Sequence, residues 1–466
     1  MELKYLNSAN YMKKILIANR GEIAVRIIRA AHELGIQTVA VYSEADHEAL
    51  HVLQADEAIC IGKPSALESY LKIPNILSAA EITRADAIHP GYGFLSENSN
   101  FAAICESCKI KFIGPSSEAI SILGDKAKAK AAAKAANCPI IPGSDGIVAD
   151  LEEGLKEAEK IGYPLLIKAV SGGGGKGIRF VHNVAEFKKC FPQAQNEAKI
   201  NFNNPDVYLE KMILNPRHVE VQVLADEHGN CVYLGERDCT IQRRRQKLIE
   251  ETPSPICSEK MRKELGNAAV RLAKSVGYAS AGTVEFLIDK DLNFYFMEMN
   301  TRVQVEHTVT EAITGVDIVK EQIRIAMGEK LSITQKDVKF NGHAIQFRIN
   351  AENPADNFTP SPGKLDYYMA PGGPHVRVDS ACYAGYSIPP YYDSMVAKLI
   401  VVGKTREEAI AVGKRALKEF HIGGVKSTIP FHKYMLKDKC FLENDYNLNY
   451  IDGLIEAGCK FEEKED

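Results

Sequence analysis

Between residues 14 and 114 the chain repeats one pattern, a short apolar run followed by a longer amphipathic stretch. The runs are Lys14-Ile-Leu-Ile-Ala18, Thr38-Val-Ala-Val-Tyr42, Ala58-Ile-Cys-Ile61, Ala87-Ile-His89 and Lys111-Phe-Ile-Gly114. Continuous rather than alternating apolarity marks strands that are covered on both faces. In the first intervening stretch Ala24, Ile27, Ile28, Ala31 and Leu34 share one helical face. A parallel sheet with helices on both faces satisfies both patterns.

The pattern changes downstream. Residues 125–136 are rich in Ala and Lys and predict a helical linker; residues 139–212 read as a smaller α/β unit around Pro164-Leu-Leu-Ile-Lys168. Strands follow at 219–224 and 232–236, helices at about 258–276 and 310–328, a β-rich part at 343–402 and a helix at 406–420. The fold class is therefore α/β followed by α+β in several domains, the last a mixed domain with an antiparallel sheet. At 466 residues the length suggests about three domains. The expected boundaries are an N-terminal extension at 1–11, an αβ domain at 12–124, a linker at 125–138 and a glycine-loop unit at 139–212. A C-terminal domain at 213–455 and a charged tail at 456–466 complete the chain.

A net charge of −4 supplies no general attraction to nucleic acid or to anionic membranes. Eleven scattered cysteines, an odd number, suit a reducing compartment. Cys105-Glu-Ser-Cys108 stands alone in a helix-like run, without the second pair a zinc site needs. Met12-Lys-Lys-Ile-Leu-Ile-Ala18 has too short an apolar stretch for a secretory signal and reads as the first strand. No apolar run approaches a membrane span, so a cytoplasmic protein is expected.

The stretch Tyr295-Phe-Met-Glu-Met-Asn-Thr-Arg-Val-Gln-Val-Glu-His307 carries the chemistry. Read as a strand running into an extended loop, it delivers Glu298, Asn300, Arg302, Gln304 and Glu306 at every second position, on one face. A solvated strand face has the same alternation, but an apolar strand just upstream adds the lone carboxylate Glu285. Hard oxygen ligands, a cation and a carboxylate base in one row suit a magnesium-nucleotide site.

Ser171-Gly-Gly-Gly-Gly-Lys-Gly177 contains G-x-G-x-x-G, yet Ile178-Arg-Phe-Val181 follows as a strand, so the loop caps a hairpin rather than a dinucleotide-binding turn. Free N–H groups there, with Lys168 at the base, form an anion nest. Glu44 and Asp46 lie near the position of a ribose-binding acid, but the first βα turn has only one glycine, which leaves nicotinamide binding weak. The basic cluster 238–247, beside Glu250 and Glu251, lacks interleaved aromatics and fits small anions better than nucleic acid. The loop His89-Pro-Gly-Tyr-Gly-Phe-Leu-Ser-Glu97 sits after a buried strand, where α/β sheets place ligands; a plain turn shaped by Pro90, Gly91 and Gly93 fits it equally well.

These segments, with Ile17-Ala-Asn-Arg-Gly-Glu-Ile-Ala24, Arg217-His-Val-Glu220, Gln242-Arg-Arg, Arg348-Ile-Asn-Ala-Glu352 and Pro389-Pro-Tyr-Tyr-Asp-Ser-Met395, resemble the biotin carboxylases of the ATP-grasp superfamily. The likeness is to those that serve bacterial acetyl-CoA carboxylase, and it runs from Met12 to about Tyr450. It implies an ATP-grasp fold with an N-terminal αβ domain, a mobile lid carrying the glycine loop, and a larger C-terminal domain. It implies ATP and Mg²⁺ (or Mn²⁺) as cofactors and biotin as a carried substrate. Lys126, Lys168, Gly174 and Gly175 would meet phosphates; Glu210, Lys211, Met212 and Ile213 the adenine; His218 and Gln242 the nucleotide. Glu285, Glu298 and Asn300 would hold the metal. Lys247, Arg302, Gln304 and Val305 would hold bicarbonate, Glu306 would act as base, and Arg348 and Tyr92 would face biotin.

One departure is Arg245, where many members carry a histidine that touches nucleotide or biotin. The resemblance further implies a homodimer working with a biotin carboxyl carrier protein and carboxyltransferase subunits, with no nucleic acid or membrane partner. The 466 residues contain no Ala-Met-Lys-Met-like biotinylation site, so the biotin is expected on another protein. The biotin carboxylase part of a pyruvate or other acyl-CoA carboxylase, or a non-catalytic ATP-binding regulator, are the alternatives.

Overall fold

The computed structural model describes residues 12–170, 177–202 and 204–462. They fall into two compact units: one gathers the residues up to Cys138, Arg217–Phe286 and those from Glu298 onward, the other Pro139–Pro216 with Leu287–Met297.

The first unit opens with β1 (Lys14–Ile17), β2 (Gln37–Ser43), β3 (Glu57–Gly62), β4 (Ala87–His89) and β5 (Lys111–Phe112). They form an all-parallel sheet in the order β3-β2-β1-β4-β5. The helix Gly21–Glu33 packs Ala24, Ile27, Ile28 and Ala31 into the core, as its sequence face required, with Leu34 partly buried just past its end. Asp46 is fully buried and bound by Arg20 through two 2.7 Å bonds and by the Tyr70 hydroxyl at 2.6 Å, so it is a structural anion rather than a ribose acceptor. Cys105 is buried in the helix Ser99–Ser107, Cys108 is exposed just beyond it, and both thiols are free. The linker is helical at Lys126–Ala135, capped by Asp125.

The second unit is built on β6 (Leu165–Ala169), β7 (Ile178–Val181) and β8 (Val207–Lys211), antiparallel in the order β7-β6-β8. The β6–β7 pairing is the hairpin that the glycine run predicts. Its tip, with Gly174 and Gly175, lies outside the described residues, as do residues 1–11 and the last four of the tail.

An eight-stranded sheet forms from β9 (Arg217–Ala225), β10 (Cys231–Arg243), β11 (Gln246–Thr252), β12 (Ser280–Ile288), β13 (Phe294–Asn300), β14 (His343–Asn350) and the strands Val376–Ser380 and Met395–Gly403. Its order is β13-β12-β9-β10-β11-β14, then Met395–Gly403 and Val376–Ser380. The helix expected at 310–328 is two helices, His307–Thr314 and Ile318–Ala326. Gly315 breaks it at φ 72°, and Asp317 caps the second through the Lys320 N–H. The row 298–306 is extended only to Asn300; Thr301–Arg302 bend and Val305–Glu306 turn into the helix. The basic cluster 238–247 is a hairpin with Gln242 opposite Lys247 and Arg243 opposite Gln246.

Candidate functional site

The site is organised around one ammonium group. Lys247, near the start of β11, places Nζ 2.6 Å from Glu220, 2.6 Å from Glu306 and 3.0 Å from Glu285. Each carboxylate comes from a different element. β9 sends His218 and Glu220 to one face, because they are two residues apart; β12 supplies Glu285, and Glu306 stands just before the helix His307–Thr314. Burial alone would push the Glu306 carboxyl up, but Lys247, then Arg348 and Arg237, outweigh it and hold it well below the usual carboxylate range. Glu285 is likewise depressed against burial, by Lys247 and then His218. Burial opposes charge on Lys247, and the three glutamates overcome it.

Glu285 is also the hub for amides. Its Oε1 accepts from Asn300 at 2.8 Å and Gln304 at 2.9 Å, and its Oε2 lies 3.1 Å from His218 Nε2. Gln242 lies 3.2 Å from the other nitrogen of that imidazole. Arg302 donates to the Asn300 side-chain amide oxygen Oδ1 at 3.3 Å and pairs with Glu97 at 2.9 Å. The polar row from Asn300 to Glu306 thus converges on one place, through a bend and a turn rather than a continuous strand.

Arg348 on β14 donates to Glu250 and reaches Glu306 at 2.9 Å. It is therefore shared between two buried carboxylates, and burial, only partly offset by Arg348, raises Glu250. The Tyr92 hydroxyl donates to Glu22, and Glu22 lies 2.9 Å from the fully buried Lys398 ammonium. Lys398 also donates to the Val305 carbonyl at 3.1 Å.

Glu298 stands apart. Among the described residues its carboxylate accepts no hydrogen bond, and burial, then the neighbouring Glu285 charge, raise its carboxyl above the ordinary value, with the Lys126 ammonium partly offsetting this. A half-buried carboxylate without a donor, beside a second carboxylate and the Asn300 amide, is a donor set that fits a hard divalent cation.

In the second unit Lys168 pairs with Glu210, its diagonal neighbour across the β6–β8 register. Lys211 spends its ammonium on the carbonyls of Gly162 and Tyr163, at 3.0 and 2.9 Å, and Met212 N donates to Pro164 O at 3.1 Å. Ile213 follows them, just past β8. Arg245 is exposed at the tip of the β10–β11 hairpin, where Arg244 and Arg245 both adopt positive φ, 47° and 67°. A two-residue turn of that shape normally carries Asn-Gly. Among the described residues Arg245 makes no hydrogen bond or ion pair.

Sequence reasoning missed three residues of the network. Glu220 had a legible signal: His218, Glu220 and Gln222 alternate within an apolar strand, as the 298–306 row does, whereas Glu250, two residues from Leu248 and adjacent to Glu251, sits in no such alternation. Arg237, opposite Glu220 and fully buried, had none. Its five N–H groups go to Glu220, Gln222, Thr310, Thr283 and Gln304 at 2.6–3.1 Å, which fixes both Glu220 and the Gln304 amide.

Three family descriptions match in succession: biotin carboxylase, N-terminal domain, over residues 11–120; carbamoyl-phosphate synthase L chain, ATP binding domain, over 125–334; and biotin carboxylase C-terminal domain over 346–453. The chain is 58% identical over 442 residues to biotin carboxylase 1 of Bacillus subtilis, covering 95% of this chain and 98% of that one. The biotin carboxylase domain dimer of 2-oxoglutarate carboxylase from Hydrogenobacter thermophilus, solved with MgADP, ADP and bicarbonate, superposes with a TM-score of 0.88 at 50% identity, covering 97% of this chain and 99% of that one. The crystal structure of the biotin carboxylase subunit of pyruvate carboxylase superposes with a TM-score of 0.88 at 51% identity, covering 98% and 100%. Identity at this level along nearly the whole length, in the same domain order, means that the chain belongs to the biotin carboxylase family.

Proposed function

We propose that this chain carboxylates biotin held on a separate carrier protein, using ATP, Mg²⁺ and bicarbonate. The observation that carries the reading is the placement of Glu306, flanked by the Lys247 ammonium and the Arg348 guanidinium, with Gln304 and Arg302 alongside. Bicarbonate is a poor electrophile until it is phosphorylated. Lys247, Arg302, Gln304 and the Val305 main chain would seat it, and Glu306 would take its proton as the oxygen attacks the γ-phosphorus, giving carboxyphosphate and ADP. Carboxyphosphate then breaks to CO₂ and phosphate, the phosphate takes the N1′ proton of biotin, and N1′ attacks CO₂. Arg348 would stabilise the negative charge on the ureido oxygen, with Tyr92 lining the biotin pocket.

Glu285, Glu298 and Asn300 would hold the metal, which when bound offsets charge on the phosphates. Lys126, Lys168, Gly174 and Gly175 would bind those phosphates, residues 210–213 the adenine, and His218 and Gln242 the nucleotide. Arg245 would stand where relatives place a nucleotide or biotin contact, with a longer guanidinium. The domain boundaries we propose lie near 124, 138 and 212. They are supported by the family matches changing over between 120 and 125 and the compact units between 138 and 139 and between 216 and 217.

A homodimer with carrier and carboxyltransferase partners, acting in the cytoplasm, goes with this reading. It is supported by one relative solved as a dimer and another solved as the biotin carboxylase part of a larger carboxylase. No helix among the described residues is long and apolar enough to cross a membrane. Acetyl-CoA is the proposed final acceptor and pyruvate the alternative. The test mixes protein, ATP, Mg²⁺, bicarbonate and free biotin and follows ADP release. Biotin should accelerate it only when Mg²⁺ and bicarbonate are present; a rate indifferent to biotin and bicarbonate leaves a nucleotide-binding protein without this activity.

A further inference from the structure

The structure assigns Thr428 and His432 as positioning residues for Arg348, an inference that rests on the reading of Arg348 as the biotin-facing cation. Arg348 lies where the sheet loses a strand. β14 is paired with β11 only as far as Phe347 opposite Ile249, while on its other side Met395–Gly403 continues to Asn350. Among the described residues the β11 side of β14 has no strand partner past Phe347, and an uncovered buried carbonyl there is costly.

Two side chains from the start of the helix Ile429–Met435 cover it. The Thr428 hydroxyl donates to the Arg348 carbonyl at 2.8 Å and accepts from the Asn350 N–H at 2.9 Å; the Thr428 N–H donates to the Asn350 carbonyl at 3.0 Å. Thr428 therefore stands in for the missing strand residue. It does so at its own helix's expense. Threonine at the N-cap, followed by proline in the first turn, is a helix-start signature whose hydroxyl ordinarily accepts from the helix's own first N–H groups. Among the described residues Thr428 makes no such bond.

One turn further on, His432 Nε2 lies 2.8 Å from the same Arg348 carbonyl. A carbonyl only accepts, so Nε2 carries the proton. The ring is fully buried, edge-on to Phe347 and Phe431, and burial keeps it neutral by pushing it down to about 4. Neither side chain bonds Glu250 or Glu306 among the described residues, so any influence on the site runs through the main chain of Arg348. Its guanidinium is fixed by two carboxylates and its Cα by the start of this helix. Both ends must be fixed to hold a cation against one oxygen, because misplacement by about 1 Å can cost ~100-fold in rate.

The test compares Thr428→Val, which keeps the shape and removes donor and acceptor, with Thr428→Ser, which keeps the hydroxyl. For each protein two rates are read from one preparation: biotin-dependent ATP cleavage as kcat/KM for free biotin, and bicarbonate-dependent ATP cleavage without biotin. Thr428→Val should lose about tenfold or more in the first and stay within about twofold in the second, with Thr428→Ser near wild type in both. His432→Phe, which keeps the aromatic packing and removes the donor, repeats the test if the valine variant does not fold. Proportional loss of both rates, serine as damaging as valine, or no change in either overturns the inference. Arg348→Ala run alongside separates the two layers. If it retains biotin carboxylation, the reading of Arg348 fails and this inference with it; if it loses that activity while Thr428→Val does not, only the inference fails.

Discussion

Replacing Lys247 by methionine should be among the most damaging single changes to the stability of the first unit, and its cost should depend on pH in a specific direction. The ammonium is the shared partner of Glu220, Glu285 and Glu306 at 2.6–3.0 Å, and all three carboxylates are buried. Removing one partner of a buried ion pair strands the other and costs about 3–5 kcal/mol. Unit charges at ~4 Å attract by about 4 kcal/mol at an effective dielectric of ~20, so a single pair already accounts for that scale. Glu285 and Glu306 are held below their ordinary value of about 4.5 in the fold. A group whose folded pKa is depressed adds stability in full above its unfolded pKa and loses it as pH falls toward the folded value. Lys247→Met removes much of the depression. The cost should therefore be largest near pH 7 and shrink as pH falls below about 4.5. Urea midpoints of wild type and variant between pH 7 and pH 3.5 test this, read with the slopes checked for equality. A cost under about 1 kcal/mol at pH 7, or one that does not change down to pH 3.5, would refute the view that Lys247 sets the charge state of this site.

Glu298→Gln removes charge from the proposed metal site, so ATP cleavage with and without biotin should fall together. Arg348→Ala should cut biotin carboxylation by about 10²- to 10³-fold and bicarbonate-dependent ATP cleavage much less; loss of both rates in equal proportion in the two variants, at unchanged ATP affinity, rejects that division of roles. Asp46→Asn strands the Arg20 guanidinium in a buried pair and should lower unfolding stability by about 3 kcal/mol with KM for ATP unchanged. A raised KM for ATP at normal stability would return Asp46 to a nucleotide-binding role.

Much of the architecture was legible because it is written in hydrophobic period. β1, β2 and β4 are covered on both faces, and their continuous apolar runs say so. The helix at 259–275 shows its face through Leu265, Ala268, Ala269 and Leu272. Period fails where the chain breaks without disturbing it. Val309 and Ile313 belong to one helix and Ile318, Val319 and Ile323 to the next, and their spacing reads through the left-handed Gly315 between them. The β10–β11 turn was invisible for the opposite reason. Arg244 and Arg245 occupy positions where sequence rules look for Asn and Gly, so the basic cluster reads as a patch rather than a hairpin.

At the site the same divide separates what a strand presents from what it touches. Alternation along 298–306 named Asn300, Arg302, Gln304 and Glu306, and the neighbouring apolar strand named Glu285, because both signals are local. The partners that set their charge come from far along the chain: Lys247 is 59 residues from Glu306, and Arg348 is 42. Arg237 lies outside every local pattern. In sequence it is flanked by Glu236 and Asp238, which do not bond it, and only the arrival of acceptors from β9, β12, Gln304 and the helix at 307–314 makes a fully buried guanidinium tenable there. Thr428 is harder still to read, since its sequence context describes a helix cap correctly and yet says nothing of the carbonyl 80 residues away that it covers instead. Local sequence fixes what a side chain is able to donate. Where neighbouring strands end decides which groups still need a donor, and that depends on register across the whole sheet.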